Sequence, residues 1–314
     1  MLSYLARRSF SLVLTVLLVS VIVFVILQVI PGDPALLIVG PDAPPAKLEQ
    51  AREALGLDRA PTTRYLQWLA GIGKGHLGES ITYQVPVSEL ITSRIPVTLP
   101  LAGLAMTIAL AISLPLGTLA ASRRGGLLDW LITALAQLGL SAPGFWMGLL
   151  LIAGFAVHLS WFPSGGFPGW HKGLLQGLRS LVLPALALGI VKGAELTRIV
   201  RSTVLDTLNE QYVQVARGKG LPEVRVLFLH VLKNSLISVV TIMGLQFAKL
   251  LAGTLIIEQV FSLPGLGKLL LGAVWKRDFP LIQSTTLVIS GFIILLNYSV
   301  DLLYGMLDPR IRFR

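Results

Sequence analysis

Long apolar runs separated by short polar breaks set the pattern of this chain. They lie near residues 10–30, 97–121, 130–157, 181–200, 236–257 and 281–303. A helix rising about 1.5 Å per residue crosses about 30 Å of hydrocarbon in about 20 residues, which each run supplies or approaches. Lipid offers no partners for backbone groups, so runs of this kind become helices. The pattern predicts an all-α membrane protein of six transmembrane helices with both termini on one side. The third run is longer than a crossing needs, and its ends are expected to leave the membrane.

The polar breaks differ in character. After the first run, Pro31-Gly32-Asp33-Pro34 ends the helix, because proline lacks a donor and restricts the residue before it. Residues 35–96 form a small cap with helical periodicity over 47–57, where Leu48, Ala51, Ala54 and Leu55 share a face. Residues 158–180, with Trp161, Phe162, Pro163, Pro168 and Trp170, suit an aromatic loop at a membrane interface. Arg7 and Arg8 precede the first run as in a signal peptide. That run is too long for one, and no small-residue cleavage site follows, so it reads as an uncleaved anchor.

Composition agrees: 54% of the 314 residues are hydrophobic and 13% charged, whereas soluble domains carry about 25% charged residues. The absence of cysteine removes disulfides and thiolate chemistry. A net charge of +10 would suit nucleic acid if it formed one soluble patch, but its distribution follows the loops instead. With the N-terminus inside, segments 1–9, 122–129, 198–234 and 304–314 hold 13 Lys/Arg against 5 Asp/Glu. The outer segments hold 11 against 9 in a longer total length. Arg123 and Arg124 in the short loop, with Arg310, Arg312 and Arg314 in the tail, weigh most, and the termini are expected to be cytoplasmic.

Catalytic chemistry finds no foothold in this pattern. His76, His158, His171 and His230 have no ligand partners at helical spacing, and no G-x-S-x-G elbow occurs. Gly267-Lys268 resembles the end of a phosphate loop, yet Ser262 replaces its first glycine and Leu269 its magnesium-binding hydroxyl. ATP is therefore not expected to bind this chain by that motif.

The inner loop after the fourth run is more informative. Over residues 210–220 Tyr212, Val215 and Ala216 fall on one face, predicting a short amphipathic helix that Gly220 stops. Pro222 and Glu223 then open a second helix through Arg225, Phe228 and Lys233. An interfacial connector would have the same pattern. Inside the spans, Lys192 and Glu195 are spaced to pair on one face, or to meet a zwitterionic solute. Lys249, with Gln246, Gly244 and Gly253 nearby, is a candidate to line a polar path through the spans; Asn297 and Asp301 are expected to fix the sixth helix. Pro264-Gly265-Leu266-Gly267 reads equally as a loop or a short re-entrant element.

Val215-Ala216-Arg217-Gly218-Lys219-Gly220, followed by His230-Val231-Leu232-Lys233-Asn234-Ser235-Leu236, resembles the EAA loop of binding-protein-dependent ABC importer permeases. The match is to the peptide and nickel family, its dipeptide and oligopeptide B-type subunits. It extends through Tyr4-x-x-Arg7-Arg8, Pro31-Gly32-Asp33-Pro34, Leu55-Gly56-Leu57-Asp58 and Gly75-x-Leu77-Gly78-x-Ser80. It continues through Glu258-x-x-Phe261-x-x-Pro264-Gly265-Leu266-Gly267, Arg277-Asp278-Phe279-Pro280, Asp301-Leu302-Leu303-Tyr304 and Asp308-Pro309-Arg310-Ile311-Arg312. Ser238 stands where such loops carry a proline, which blurs the start of the fifth helix.

The resemblance implies a type I ABC importer permease fold. Residues 1–30 are the anchor helix, 31–96 an extracytoplasmic segment between helices 1 and 2, and 97–314 the transmembrane domain, with its coupling loop at about 205–238. It implies that Tyr212, Val215, Ala216, Arg217, Lys219, Gly220 and Leu221 dock on a cytoplasmic ATPase. Arg217 and Lys219 would meet its acidic groups or, alternatively, lipid headgroups. The implied assembly has a homologous second permease, two ATP-binding subunits that hold ATP and magnesium, and an extracytoplasmic solute-binding protein in the bacterial inner membrane. No cofactor and no nucleic acid are implied for this chain. Dipeptides or oligopeptides are the expected cargo, with nickel chelates or glutathione as alternatives. A transporter driven by an ion gradient is the rival class; Glu195 and Asp301 are the acids it would have inside the spans.

Overall fold

The computed structural model describes residues 2–29, 34–40, 43–54 and 56–307. In chain order its helices are α1 (Leu2–Val29), α2 (Pro34–Val39), α3 (Pro45–Ala54), α4 (Pro61–Gly73), α5 (Val87–Ser122), α6 (Leu127–Ser141) and α7 (Gly144–Leu151). There follow α8 (Leu174–Leu208), α9 (Gln211–Gly218), α10 (Glu223–Arg225), α11 (Lys233–Val260), α12 (Leu266–Trp275) and α13 (Phe279–Leu307). A π-helical turn, Ile152–His158, extends α7, and another, Val226–Leu232, joins α10 to α11. Pro31, Gly32 and Asp33, where the first helix is expected to end, Leu55, and the tail bearing Arg310, Arg312 and Arg314 lie outside the described residues.

Among the described residues Ala6–Val29, Val87–Ser122, Leu174–Leu208 and Phe279–Leu302 are long and apolar enough to cross a membrane. Two bent pairs, Leu127–Ser141 with Gly144–His158 at 98° and Glu223–Val240 with Ile242–Val260 at 44°, make the total six if each pair is one span. The first bend corrects the expectation of one long third span. Ala142 is extended (ψ 123°) because the ring of Pro143 excludes the helical conformation from the residue before it. Pro143 in turn caps α7. The second bend follows a helix that runs without a sharp start from Glu223 through Ser238, as the missing proline predicts. Boundaries shift elsewhere: α5 begins at Val87 rather than near 97. α8 has 35 residues, about 52 Å of helix, and so projects beyond the hydrocarbon.

The chain forms two compact units, Met1–Val97 with Gly265–Tyr298, and Thr98–Pro264 with Ser299–Arg314. In the first, Val87 and Ile91 pack with Leu266, Leu269, Ala273 and Leu281, so the Pro264-Gly265 turn leads into a buried helix. Gly267 and Lys268 sit inside that helix, not in a phosphate-binding loop. The Asp278 carboxylate is fully buried. It accepts from Ser80 Oγ at 2.5 Å and from the backbone N–H of Thr82 at 2.9 Å and Leu281 at 3.3 Å. Ser284 Oγ donates to the Leu77 carbonyl at 2.6 Å, so two motifs distant in sequence are tied together.

In the second unit α8 is central. A Cβ added at Gly117 would stand 2.7 Å from Val200 Cβ and 2.8 Å from the Thr197 carbonyl. At Gly189 and Gly193 it would press on Ile108 and Ile112 of α5. Small residues let membrane helices approach where apolar burial alone gives little preference over lipid. Glu258 is buried and accepts from Thr98 Oγ1 at 2.6 Å. Three residues on, the Phe261 carbonyl accepts from Gly166 N–H at 2.8 Å.

Candidate functional site

The loop after α8 folds into two short helices because each residue has a distinct job. Val213 and Ala216, three apart on α9, are buried. They join Val200 and Val204 from the foot of α8, and Val226 and Val231 from the π-helical turn, in one cluster. This corrects the expected apolar face. Ala216 is buried, but Tyr212 and Val215 remain 41% and 55% exposed. An eight-residue helix has room for one buried stripe, and Val213 takes the position assigned to Tyr212 and Val215.

Gly220 ends α9 at φ +77°. Its N–H donates to the Arg217 carbonyl at 2.9 Å, and the Leu221 N–H reaches back to the Ala216 carbonyl at 3.4 Å. These two bonds form a Schellman stop, which glycine adopts without the Cβ penalty. Leu221 then packs against the valine cluster. Arg217, expected to face a partner or lipid, is held within the chain: Nε and Nη2 donate to Glu223 at 2.8 and 3.2 Å. Lys219 is exposed. With Tyr212 and Val215, the exposed Val224, Phe228 and Leu229 leave several apolar side chains uncovered around the turn.

The foot of α8 is fixed by a pair that charge counting missed. Arg201 donates from Nε and Nη2 to the two carboxylate oxygens of buried Asp129, at 2.6 and 2.8 Å. Gly125 N–H adds a bond at 2.9 Å. Asp129 counted as one loop charge and Arg201 as another; only the fold makes them neighbours.

Deeper in the spans, Lys192 Nζ donates to Glu195 Oε2 at 2.6 Å and to Gln246 Oε1 at 3.2 Å. Gln246 Nε2 closes the ring by donating to Glu195 Oε1 at 2.8 Å. The structure thus joins α8 to α11 through three of the predicted residues. Lys249 is exposed. Gly253 lies against Leu188 of α8.

Residues 113–313 match the family described as binding-protein-dependent transport system inner membrane component, and residues 1–102 match its N-terminal counterpart. The chain belongs to this family. Its relatives include the oligopeptide transport system permease protein AppB of Bacillus subtilis, 39% identical with all of both chains covered. Another is the glutathione transport system permease protein GsiC of Escherichia coli O6:H1, 39% identical, also over the whole of both. Among solved structures, an inward-facing chain of the MetNI methionine ABC transporter superposes with a TM-score of 0.60 at 15% identity. It covers 70% of this chain and 96% of its own. The likeness is one of fold, and it agrees with the permease architecture read from the sequence. Family membership also decides against the ion-gradient alternative. As a membrane permease of an ABC importer, the chain displays at its α8–α11 connection the surface described above.

Proposed function

We propose that this permease is one of two membrane subunits of an ATP-driven importer of dipeptides or short peptides in the bacterial inner membrane. A homologous second permease completes the pathway, a solute-binding protein delivers cargo from outside, and two cytoplasmic subunits bind ATP and magnesium. Both termini face the cytoplasm. The relatives support the cargo: AppB is named for oligopeptides and GsiC for glutathione, itself a short peptide.

One observation carries the coupling assignment: α9 is anchored through Val213 and Ala216 while Tyr212 and Val215 are left uncovered. A helix held on one side and apolar on the other fits an amphipathic docking element for a partner protein. Gly220 makes the following turn rigid, so motion of the partner passes to α8 and α11 instead of dissipating in a loop. The Lys192, Glu195 and Gln246 ring, with Lys249 beside it, supplies polar groups for a zwitterionic cargo within the spans.

Reconstitution tests this reading. Vesicles holding the complete assembly should take up labelled peptide when given binding protein outside and ATP inside, and Tyr212→Ala with Val215→Ala should uncouple hydrolysis from uptake. Accumulation of peptide by this chain alone, with no ATPase subunit, would overturn it.

A further inference from the structure

The second unit holds a cavity of about 690 Å³ between α6 and α8, lined in part by Thr133, Glu195, Arg198, Arg201 and Ser202. A space of that size accommodates a small ligand. The charges on its wall are not equally free. Arg201 is neutralised by both oxygens of Asp129. Glu195 is neutralised by Lys192, with Gln246 completing the ring. Arg198 is exposed and, among the described residues, meets no carboxylate. Its guanidinium reaches Gln137 Oε1 of α6 at 3.4 Å, longer than a good N–H···O bond. A guanidinium presents five donors and keeps its proton, so most of this fork is uncommitted at the cavity wall. Arg198 also lies within Leu174–Leu208, a helix long and apolar enough to cross a membrane. An ionisable side chain in such a segment is costly unless an opposite charge or water meets it. The wall therefore carries one positive charge in excess.

We propose that Arg198 holds the terminal carboxylate of the cargo peptide in this cavity, a role that deepens the importer reading and rests on it. The guanidinium fork matches a carboxylate in both charge and geometry. Glu195 lies three residues back on the same helix and lines the same space. Side chains at that spacing stand about 5–6 Å apart at Cβ, and two extended residues span at most about 7 Å. A carboxylate has lone pairs beyond the two that Lys192 and Gln246 engage, so Glu195 can receive the ammonium of a short peptide while Arg198 takes its other end. Both signs on one wall favour a zwitterion over an anionic lipid, whose phosphate would face Glu195 with like charge.

The test is equilibrium binding of dialanine and of dialanine amide to the complete membrane assembly in detergent, without solute-binding protein, followed by titration calorimetry. Dialanine should bind about tenfold more tightly than the amide, which lacks the anionic terminus. Arg198→Gln should weaken dialanine about tenfold and leave the amide unchanged, so that the two peptides bind alike. Should Arg198→Gln fail to assemble, Arg198→Lys, which keeps the charge but loses the fork, decides by a reduced preference for the acid. Equal affinity of the unaltered protein for both peptides, binding of neither, or a preference that survives the substitution would overturn the assignment. An arginine that serves lipid headgroups instead would give the first or the last of these results. ATP-dependent uptake is measured in vesicles on the same preparation. Uptake that persists without any acid preference removes this site and leaves the importer reading standing, whereas absence of uptake counts against that reading itself.

Discussion

Ser80 Oγ donates to Asp278 Oδ2 at 2.5 Å across 198 positions of the chain. The same carboxylate receives the N–H groups of Thr82 and Leu281, capping the start of α13 while closing the loop that follows α4. Asp278→Ala leaves several donors buried without an acceptor and should cost about 2–3 kcal/mol, whereas Ser80→Ala removes one donor to the carboxylate and the acceptor of the Tyr83 N–H and should cost about 1–2 kcal/mol. Thermal unfolding of the solubilised protein measures both. An Asp278→Ala variant as stable as the wild type would show that water reaches these groups.

At Gly220 a Cβ would meet open space, so any penalty there is one of backbone conformation alone. Valine at φ +77° should cost about 1–3 kcal/mol and unwind the turn, while asparagine, which tolerates that region, should not. The expected outcome is loss of ATP-dependent uptake in Gly220→Val at an unchanged amount in the membrane, with Gly220→Asn close to wild type. Undiminished uptake by the valine variant would count against the coupling role.

The exposed Arg217–Glu223 pair contributes little to stability, under about 1 kcal/mol. It ties α9 to α10. Arg217→Glu and Glu223→Arg should each reduce uptake, and the two together should restore it. If Arg217 instead met an acid on the ATPase, the double exchange would transport no better than Arg217→Glu alone.

In the spans, Glu195→Leu leaves Lys192 without its counter-charge, so the single variant should be less stable than Lys192→Met with Glu195→Leu combined. Lys249→Met should leave the unfolding temperature unchanged because Lys249 is exposed. Its effect should fall on the KM for peptide, measured in vesicles. A lysine facing lipid would give no change in KM.

Much of the architecture was legible because lipid imposes a strict length on apolar helices: four runs became single helices long enough to cross, and the other two became bent pairs. The Gly220 stop was legible for a similar reason, since few residues suit that backbone region. Proline supplied a weaker signal: Pro143 broke the third run at a sharp angle, whereas α5 continues through Pro96 and Pro100. What remained hidden depended on contacts distant in sequence. Asp129 with Arg201, Thr98 with Glu258 and Ser80 with Asp278 share no spacing that periodicity can detect. The face of α9 was misjudged because Tyr212, Val213 and Val215 are all apolar, and only the valine cluster beneath α8 determines which of them turns inward.

The close contacts along α8 have a mechanical consequence. Gly189 and Gly193 clasp the middle of the helix against α5, and α9 is fastened to its foot. A rod gripped at mid-length acts as a seesaw: a sideways push at the tip that bears α9 swings the opposite tip the other way. Opening toward one compartment and narrowing toward the other would then be a single movement, with no separate signal needed to synchronise the two gates.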